Sequence, residues 1–262
     1  MAFYLRDYRK LLFKLLKLKN HCWITMTEAK SLKDNKSPLF KKAIIMRHDV
    51  DRFPKYALKM AELESSLNVK ATYYFRCNSK GQFPKLFIKK INKLGHEVGY
   101  HYECLSYCKG NKKKALTLFH KNLINLRKSA ICTSVAMHGA PLSKYNNEDL
   151  LVGINLKLFK LSADATLSFR NTDLVYLTDT GGKWNSSDKN NLRDYVGKSD
   201  KNFISPTNKY FATWVNKLKK PIIISTHPER WANNNLDFIL AEIRDRVANF
   251  IKKLLYLLRR TH

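Results

Sequence analysis

The sequence has no long apolar run. Nothing in its 262 residues approaches the ~18–20 consecutive apolar residues of a membrane-spanning helix. The first 20 residues are equally broken up, because Arg6, Arg9, Lys10, Lys14, Lys17 and Lys19 interrupt the apolar positions. That leaves no uninterrupted core for a secretory signal and points to a cytoplasmic protein. Cysteine is sparse and odd in number. Cys22, Cys77, Cys104, Cys108 and Cys132 have no disulfide-framework spacing, which suits a reducing compartment. The CxxxC of Cys104 and Cys108 has no partner pair and is weak evidence for zinc. No Gly/Ser- or Pro-rich linker, repeat or low-complexity segment divides the chain. A single domain over residues 1–262 is therefore expected, large enough for one α/β core.

Acidic residues are also scarce, 21 against 49 lysines and arginines, for a net charge of +28. Such an excess favours an anionic neighbour: nucleic acid, a membrane face or a phosphorylated substrate. A lysine-rich proteome gives the same excess, since the lysines are scattered throughout. No helix-turn-helix, zinc-finger or RNP pattern is present, so no specific nucleic-acid partner is expected.

What is present reads as a folded α/β protein, with 44% apolar and 12% aromatic residues. Residues 4–19 and 249–260 read as basic amphipathic helices, which can pack on the domain or lie on anionic lipid. Between them, strand-like runs alternate with helical patterns. Ala43-Ile44-Ile45-Met46 leads into Arg47-His48-Asp49-Val50-Asp51, and a helical pattern opens at Pro54. A β-rich run covers residues 69–75, a helix starts near Pro84 and stops at Gly95, and a second motif strand ends at His101-Tyr102-Glu103. A lysine-rich helix over 112–128 follows. Further strands end at His138-Gly139-Ala140-Pro141, at Asp179-Thr180-Gly181-Gly182 and at His227-Pro228, and a terminal helix begins near Leu236. Residues 142–173 give no clear pattern, and 183–206 read as an insertion or long loop. Strands alternating with helices predict a mainly parallel sheet.

His48, Asp49, Asp51, His101, Glu103, His138, Asp179 and His227 all fall at carboxyl ends of these strands, the edge where α/β sheets and barrels carry their sites. Residues two apart on a strand share a face, so Asp49 pairs with Asp51 and His101 with Glu103. Two carboxylates and a His-x-Glu pair could hold a divalent metal beside a free base. His48 points the opposite way and reads as a buried structural histidine; His96, ahead of its strand, reads as a turn residue.

In this order along residues 44–231 the motifs resemble those of the polysaccharide deacetylases, the NodB-homology domain of carbohydrate esterase family 4. Gly95-His96-Glu97-Val98-Gly99-Tyr100-His101 is similar to the family's Gly-His-Glu-Ile-Gly-x-His segment. His227-Pro228-Glu229-Arg230-Trp231 is similar to the ending of a branch found among surface-polysaccharide biosynthesis genes. The resemblance implies a distorted (β/α) barrel of about seven mainly parallel strands, with a motif-bearing core over about 43–231. It also implies a metal-dependent hydrolase that removes N- or O-acetyl groups from sugars. Three departures stand out. Val50 separates Asp49 from Asp51, Leu105 stands where a second metal histidine is expected, and His138 replaces an arginine.

By resemblance Asp49 is the general base, against a structural pairing with Arg47 or Arg52. His227 is the general acid, oriented by Asp179. The metal would be zinc, with cobalt or manganese as alternatives, on Asp51, His101 and Glu103. Against these roles stand a helix cap for Asp51 and a lysine salt bridge for Glu103. His138, Pro141, Trp184 and Trp231 are the candidate substrate contacts, the tryptophans as a sugar platform. A nucleotide- or lipid-linked acetylated saccharide in capsule or O-antigen assembly, met in the cytoplasm at the inner membrane face, would suit the basic charge. The incomplete metal set leaves an alternative: a degenerate member that binds saccharide or a partner without hydrolysis.

Overall fold

The computed structural model describes residues 3–185, 193–198 and 204–258. A short strand β1 (Phe3–Tyr4) runs into α1 (Leu5–Leu16). Then β2 (Cys22–Trp23), α2 (Met26–Asp34) and a 3-10 turn (Pro38–Lys42) lead to the longest strand, β3 (Ala43–Val50). There follow α3 (Pro54–Ser66), β4 (Ala71–Phe75), α4 (Lys85–Lys93), β5 (Glu97–Tyr102), the one-turn α5 (Cys104–Tyr107), α6 (Lys112–Arg127) and β6 (Ser134–Met137). The chain closes with β7 (Ala163–Asp164), β8 (Val175–Thr178), α7 (Phe211–Lys217), β9 (Ile222–Thr226), β10 (Trp231–Ala232) and α8 (Asn235–Leu258).

The main sheet runs β7-β6-β5-β4-β3-β9-β8, every neighbouring pair parallel, with β2 added beside the start of β3. It is a curled half-barrel, with β7 and β8 at its two free ends. The α/β fold with about seven mainly parallel strands is thus as the sequence predicts, and the barrel is open.

All eight residues of β3 are buried, because both faces of the strand are covered. Ile44, Met46 and Val50 pack outward with Tyr8, Leu12, Ala57, Met60 and Ile88 of the surrounding helices. Ala43 and Ile45 point into the curl, against Tyr74, Ala136, Phe169 and Ile223. This period-2 division sends Arg47 and Asp49 into the curl and His48 outward. There His48 meets Thr226 Oγ1 at 2.7 Å and Glu64 Oε1 at 2.8 Å, as a structural histidine would. His96 lies between the turn at Leu94-Gly95 and the start of β5, as expected, and is buried there, with Nε2 2.9 Å from the Ala61 carbonyl.

Helix α1 buries Tyr8, Leu11, Leu12 and Leu15, so the amino-terminal amphipathic segment packs on the domain. Among the described residues no helix is long and apolar enough to cross a membrane. The 142–173 segment consists of 3-10 turns around β7. Parts of the 183–206 segment, and Arg259, Arg260 and His262 at the carboxyl end, lie outside the described residues.

Candidate active site

The register of the sheet brings the polar strand tips to one edge. Asp49 lies opposite Tyr74, Tyr74 opposite Gly99, and His101 opposite Ala136, so β3, β5 and β6 deliver their ends at similar height. The curl opens there into a cleft of about 920 Å³. Asp49, Asp51, His101, Glu103, His138, Pro141 and His227 all line it. That volume lies in the range of small-molecule sites.

Asp49 is held from behind. Arg47 Nε and Nη2 donate to its two oxygens at 2.8 Å each, and both side chains are buried. Arg47 is thus the structural partner of Asp49, two residues away on the same strand face, and the pairing fixes the direction of the carboxylate. Asp51 lies beyond the end of β3. It does not cap α3, whose N-cap is Phe53 with no side-chain bond. Its Oδ1 is buried without a hydrogen-bond partner. Burial opposes ionisation, but His138, His101 and His227 around it hold its carboxyl well below the usual range.

His101 is fixed by the carbonyl of Ala136, 3.1 Å from its Nδ1. A carbonyl only accepts, so Nδ1 carries the proton and Nε2 presents a lone pair. That Nε2 stands 3.4 Å from Asp51 Oδ1 and 3.7 Å from Asp49 Oδ2. Burial drives the His101 pKa down to about 4 despite both acids, so the ring is neutral. His138 comes in from β6, with Nε2 3.6 Å from Asp51 Oδ2 and Nδ1 3.2 Å from Glu103 Oε2. Burial favours its neutral form, but Asp51 and Glu103 raise its pKa above the ordinary histidine value.

Glu103 is not where a third donor beside His101 would be. Its carboxylate is bound by Arg76 and reaches His138 rather than Asp51. The reason is local: Arg76, one residue past β4, sits between Glu103 and Asp51, with Nη1 3.8 Å from Asp51 Oδ1.

Among the described residues no three His, Cys, Asp or Glu side chains stand as a ready metal-binding group. Asp51, His101 and His138 come nearest. Two ligands on one tetrahedral zinc stand about 3.4 Å apart. His101 Nε2 lies 3.4 Å from Asp51 Oδ1 and His138 Nε2 3.6 Å from Asp51 Oδ2, each close to that spacing but on different oxygens of the carboxylate. The orphaned Asp51 Oδ1, and a neutral His101 oriented by a carbonyl, are the donor states a metal needs. The chemistry of the set therefore fits a divalent ion, with His138 in the place the sequence gives to Glu103. The CxxxC plays no part: Cys104 is buried against the Tyr100 hydroxyl at 3.2 Å, and its thiol is pushed up to about 12 by that burial.

Across the cleft stands His227, with Asp179 buried behind it. His227 Nδ1 lies 2.6 Å from Asp179 Oδ1, and its backbone N–H donates to the same carboxylate. Burial and Arg230 both oppose the imidazolium, but Asp179, with help from Asp51, raises the His227 pKa to about 9. Arg230 Nη1 at 3.2 Å and Trp231 Nε1 at 2.9 Å complete the ring of donors around Asp179.

Trp231 does not line the cleft and is no sugar platform. It is buried because β1 pairs with β10 and Phe3 stacks on the indole at 4.7 Å. Trp184 lies beside it, its ring 5.9 Å from Trp231 and likewise away from the cleft. Pro141 lies in a loop held by Arg193, which donates to the carbonyls of Gly139, Ser143 and Tyr145 at 2.9–3.0 Å.

Sequence reasoning missed Arg76, Arg193 and Glu229. Glu229 lines the cleft, its Oε2 is buried without a partner, and burial together with Asp51 raises its pKa to about 7. Position was the available signal: Arg76 immediately follows a strand, and Glu229 follows His227-Pro228 at another.

No family model matches the chain, and no curated protein sequence matches it. Among solved structures it is similar to a family 4 carbohydrate esterase from Bacillus anthracis, at 12% identity and a TM-score of 0.40, over 92% of this chain and 84% of that one. It is also similar to a CE4 esterase of Streptococcus mutans, at 12% identity and a TM-score of 0.45, over 90% of each chain.

Proposed function

We propose that this protein is a hydrolase that removes an acetyl group from an acetylated saccharide, with a divalent metal in its cleft. One observation carries the reading: a charged histidine–aspartate pair faces a carboxylate–histidine cluster across a single cleft at the carboxyl edge of the sheet. The deacetylase-like order of motifs along the chain agrees with it.

Asp51, His101 and His138 would hold the metal, zinc by preference and cobalt or manganese otherwise. Such a metal, when bound, polarises a carbonyl and lowers the pKa of its water. Asp49 takes the proton of the attacking water, its carboxylate already aimed by Arg47. His227 is charged at neutral pH, and its Nδ1–H is committed to Asp179. Its Nε2–H is therefore the proton given to the departing amine or alcohol. Arg230 and Trp231 keep Asp179 from turning away.

The substrate we propose is anionic, a nucleotide- or lipid-linked sugar of surface-polysaccharide assembly handled in the cytoplasm, because the net charge of +28 favours an anionic partner. The test is acetate release from nucleotide-linked, lipid-linked and neutral chitin-like sugars, with metal-stripped and zinc-reloaded protein. Release that needs the metal and favours the anionic sugars is the expected result. Preference for neutral polymer would sink the anionic assignment. Saccharide binding without any release would leave the non-hydrolytic alternative.

A further inference from the structure

Helix α8 carries an apolar row that no described residue covers. Leu236, Ile239, Leu240, Ile243, Val247 and Phe250 recur at three- and four-residue spacing, which places them on one face. All are between 51% and 69% exposed. Isolated apolar residues on a surface need no explanation, but a contiguous row does. The opposite side of the helix is the docked one. Ala241 is buried, Asp245 pairs with Arg230, Arg244 reaches the Glu229 carbonyl at 3.2 Å, and Asn249 reaches that of Gly181 at 3.0 Å. Helix α8 is therefore anchored by polar contacts and presents its apolar face outward, the reverse of α1.

A second observation adjoins it. Phe53 has φ of +46°, a region a bulky residue adopts only under constraint, and it stands exposed. The Arg244 guanidinium lies 4.9 Å over its ring, which ties Phe53 to α8. Arg52 and Lys55 on either side of it are exposed as well. The charges near the row are basic. Arg246, beside Val247 and one turn before Phe250, is exposed. The acids of α8 are engaged: Asp237 accepts from Tyr56, Glu242 from Arg246, and Asp245 from Arg230. Ile243 and Val247 also line the cleft, so one border of the row is the lip of the candidate active site.

We infer that α8, with Phe53, docks on an anionic lipid bilayer: the apolar row lies among the acyl chains, the basic residues meet the headgroups, and the cleft opens at the membrane surface. An apolar face with basic flanks is the pattern of a helix lying in the interface plane. A second copy of the chain is disfavoured as occupant, because two bodies of net charge +28 repel. The inference goes beyond the hydrolase reading and stands whether or not the cleft releases acetate.

The test is co-sedimentation of the full chain with phosphatidylcholine vesicles, with and without phosphatidylglycerol, at about 0.15 M salt. The variant Leu240→Gln/Phe250→Gln keeps the net charge and alters two exposed residues outside the cleft. Wild type should sediment with the anionic vesicles, and the variant should partition roughly tenfold or more weakly. Both should keep the same circular dichroism and the same activity on a soluble substrate. Equal sedimentation of wild type and variant would reduce the effect to charge alone and overturn the proposal. Absence of binding by wild type would overturn it too, as would a stable dimer in light scattering that the variant dissociates.

Discussion

Asp179, buried behind His227, collects donors from His227, Arg230 and Trp231, so its orientation is fixed before any substrate arrives. Its consequence is the proton on His227. The folded pKa is about 9, above the ordinary 6.5. With the charged form acting as acid, kcat should hold below that value and fall as pH rises through about 9. The same pair contributes stability that is fully present below about 6.5 and fades as pH climbs through 9. Asp179→Asn removes the stabilising charge, so the alkaline limb should move to lower pH, and a pH–rate profile of wild type and variant checks this. An unmoved limb would mean that another group sets it. His227→Ala should cost about two to four orders of magnitude in kcat. The metal donors make a separate prediction. Calorimetric zinc titration should lose measurable binding in His138→Ala, whereas Glu103→Gln, acting through His138, should weaken it about 10- to 100-fold. The reverse order would return Glu103 to the metal.

At the level of elements, the two glycines of the Gly-His-Glu-Val-Gly-Tyr-His string serve different physical needs. Gly95 ends α4 in the left-handed region, φ +89°, where a side chain is strained even with open space around it. Gly99 sits within β5, where a Cβ would overlap the Tyr74 ring and stand 3.0 Å from the Ser134 carbonyl. Gly99→Ala should therefore push β5 away from β4, costing about 1–3 kcal/mol in urea unfolding. It should also displace His101, two residues on, and weaken zinc binding in the same titration; intact affinity would show that β5 absorbs the methyl locally. Behind the sheet, Glu64 of α3 accepts from Tyr73 at 2.6 Å and from Tyr8, and meets His48 at 2.8 Å, joining α1, α3, β3 and β4. That network explains why an ionisable residue at a strand tip is not always a site residue. The sequence pattern distinguished His48 from Asp49 because alternation along a strand is a local property. It failed for Trp231, whose burial depends on Phe3 more than two hundred residues away. It also passed over the capping box in which Thr25 and Glu28 start α2, a local signal that was legible. Arg193, which braces the 139–145 loop, was out of reach, since its partners lie some fifty residues away in the chain.

Across the whole molecule, the acids that would offset the lysines are spent inside. Among the described residues Asp49, Glu64, Asp164 and Asp179 are buried, set against a single buried arginine, Arg47, so the surface is more one-sided than the net charge of +28 conveys. Exposed ion pairs do little to counter this: Lys10–Asp7, Lys30–Asp34 and Arg246–Glu242 are neighbours on single helices, each contributing about 0.3–0.5 kcal/mol. Salt acts on both, weakening such pairs and relieving repulsion among the unpaired lysines. With unpaired charge far in excess, relief should win. The Tm should rise as sodium chloride is increased from low ionic strength to about 0.15 M, where the screening length falls to about 8 Å. Buried pairs such as Arg47–Asp49 are screened much less and should not reverse the trend. The same reasoning limits what the charge says about nucleic acid. Retention on random-sequence DNA should be strong in low salt and vanish near physiological salt, since contacts with phosphate alone release counterions and carry that dependence. A melting temperature that falls with salt would instead make exposed ion pairs the stronger influence. DNA retention that survives physiological salt would reveal a built nucleic-acid surface rather than diffuse charge.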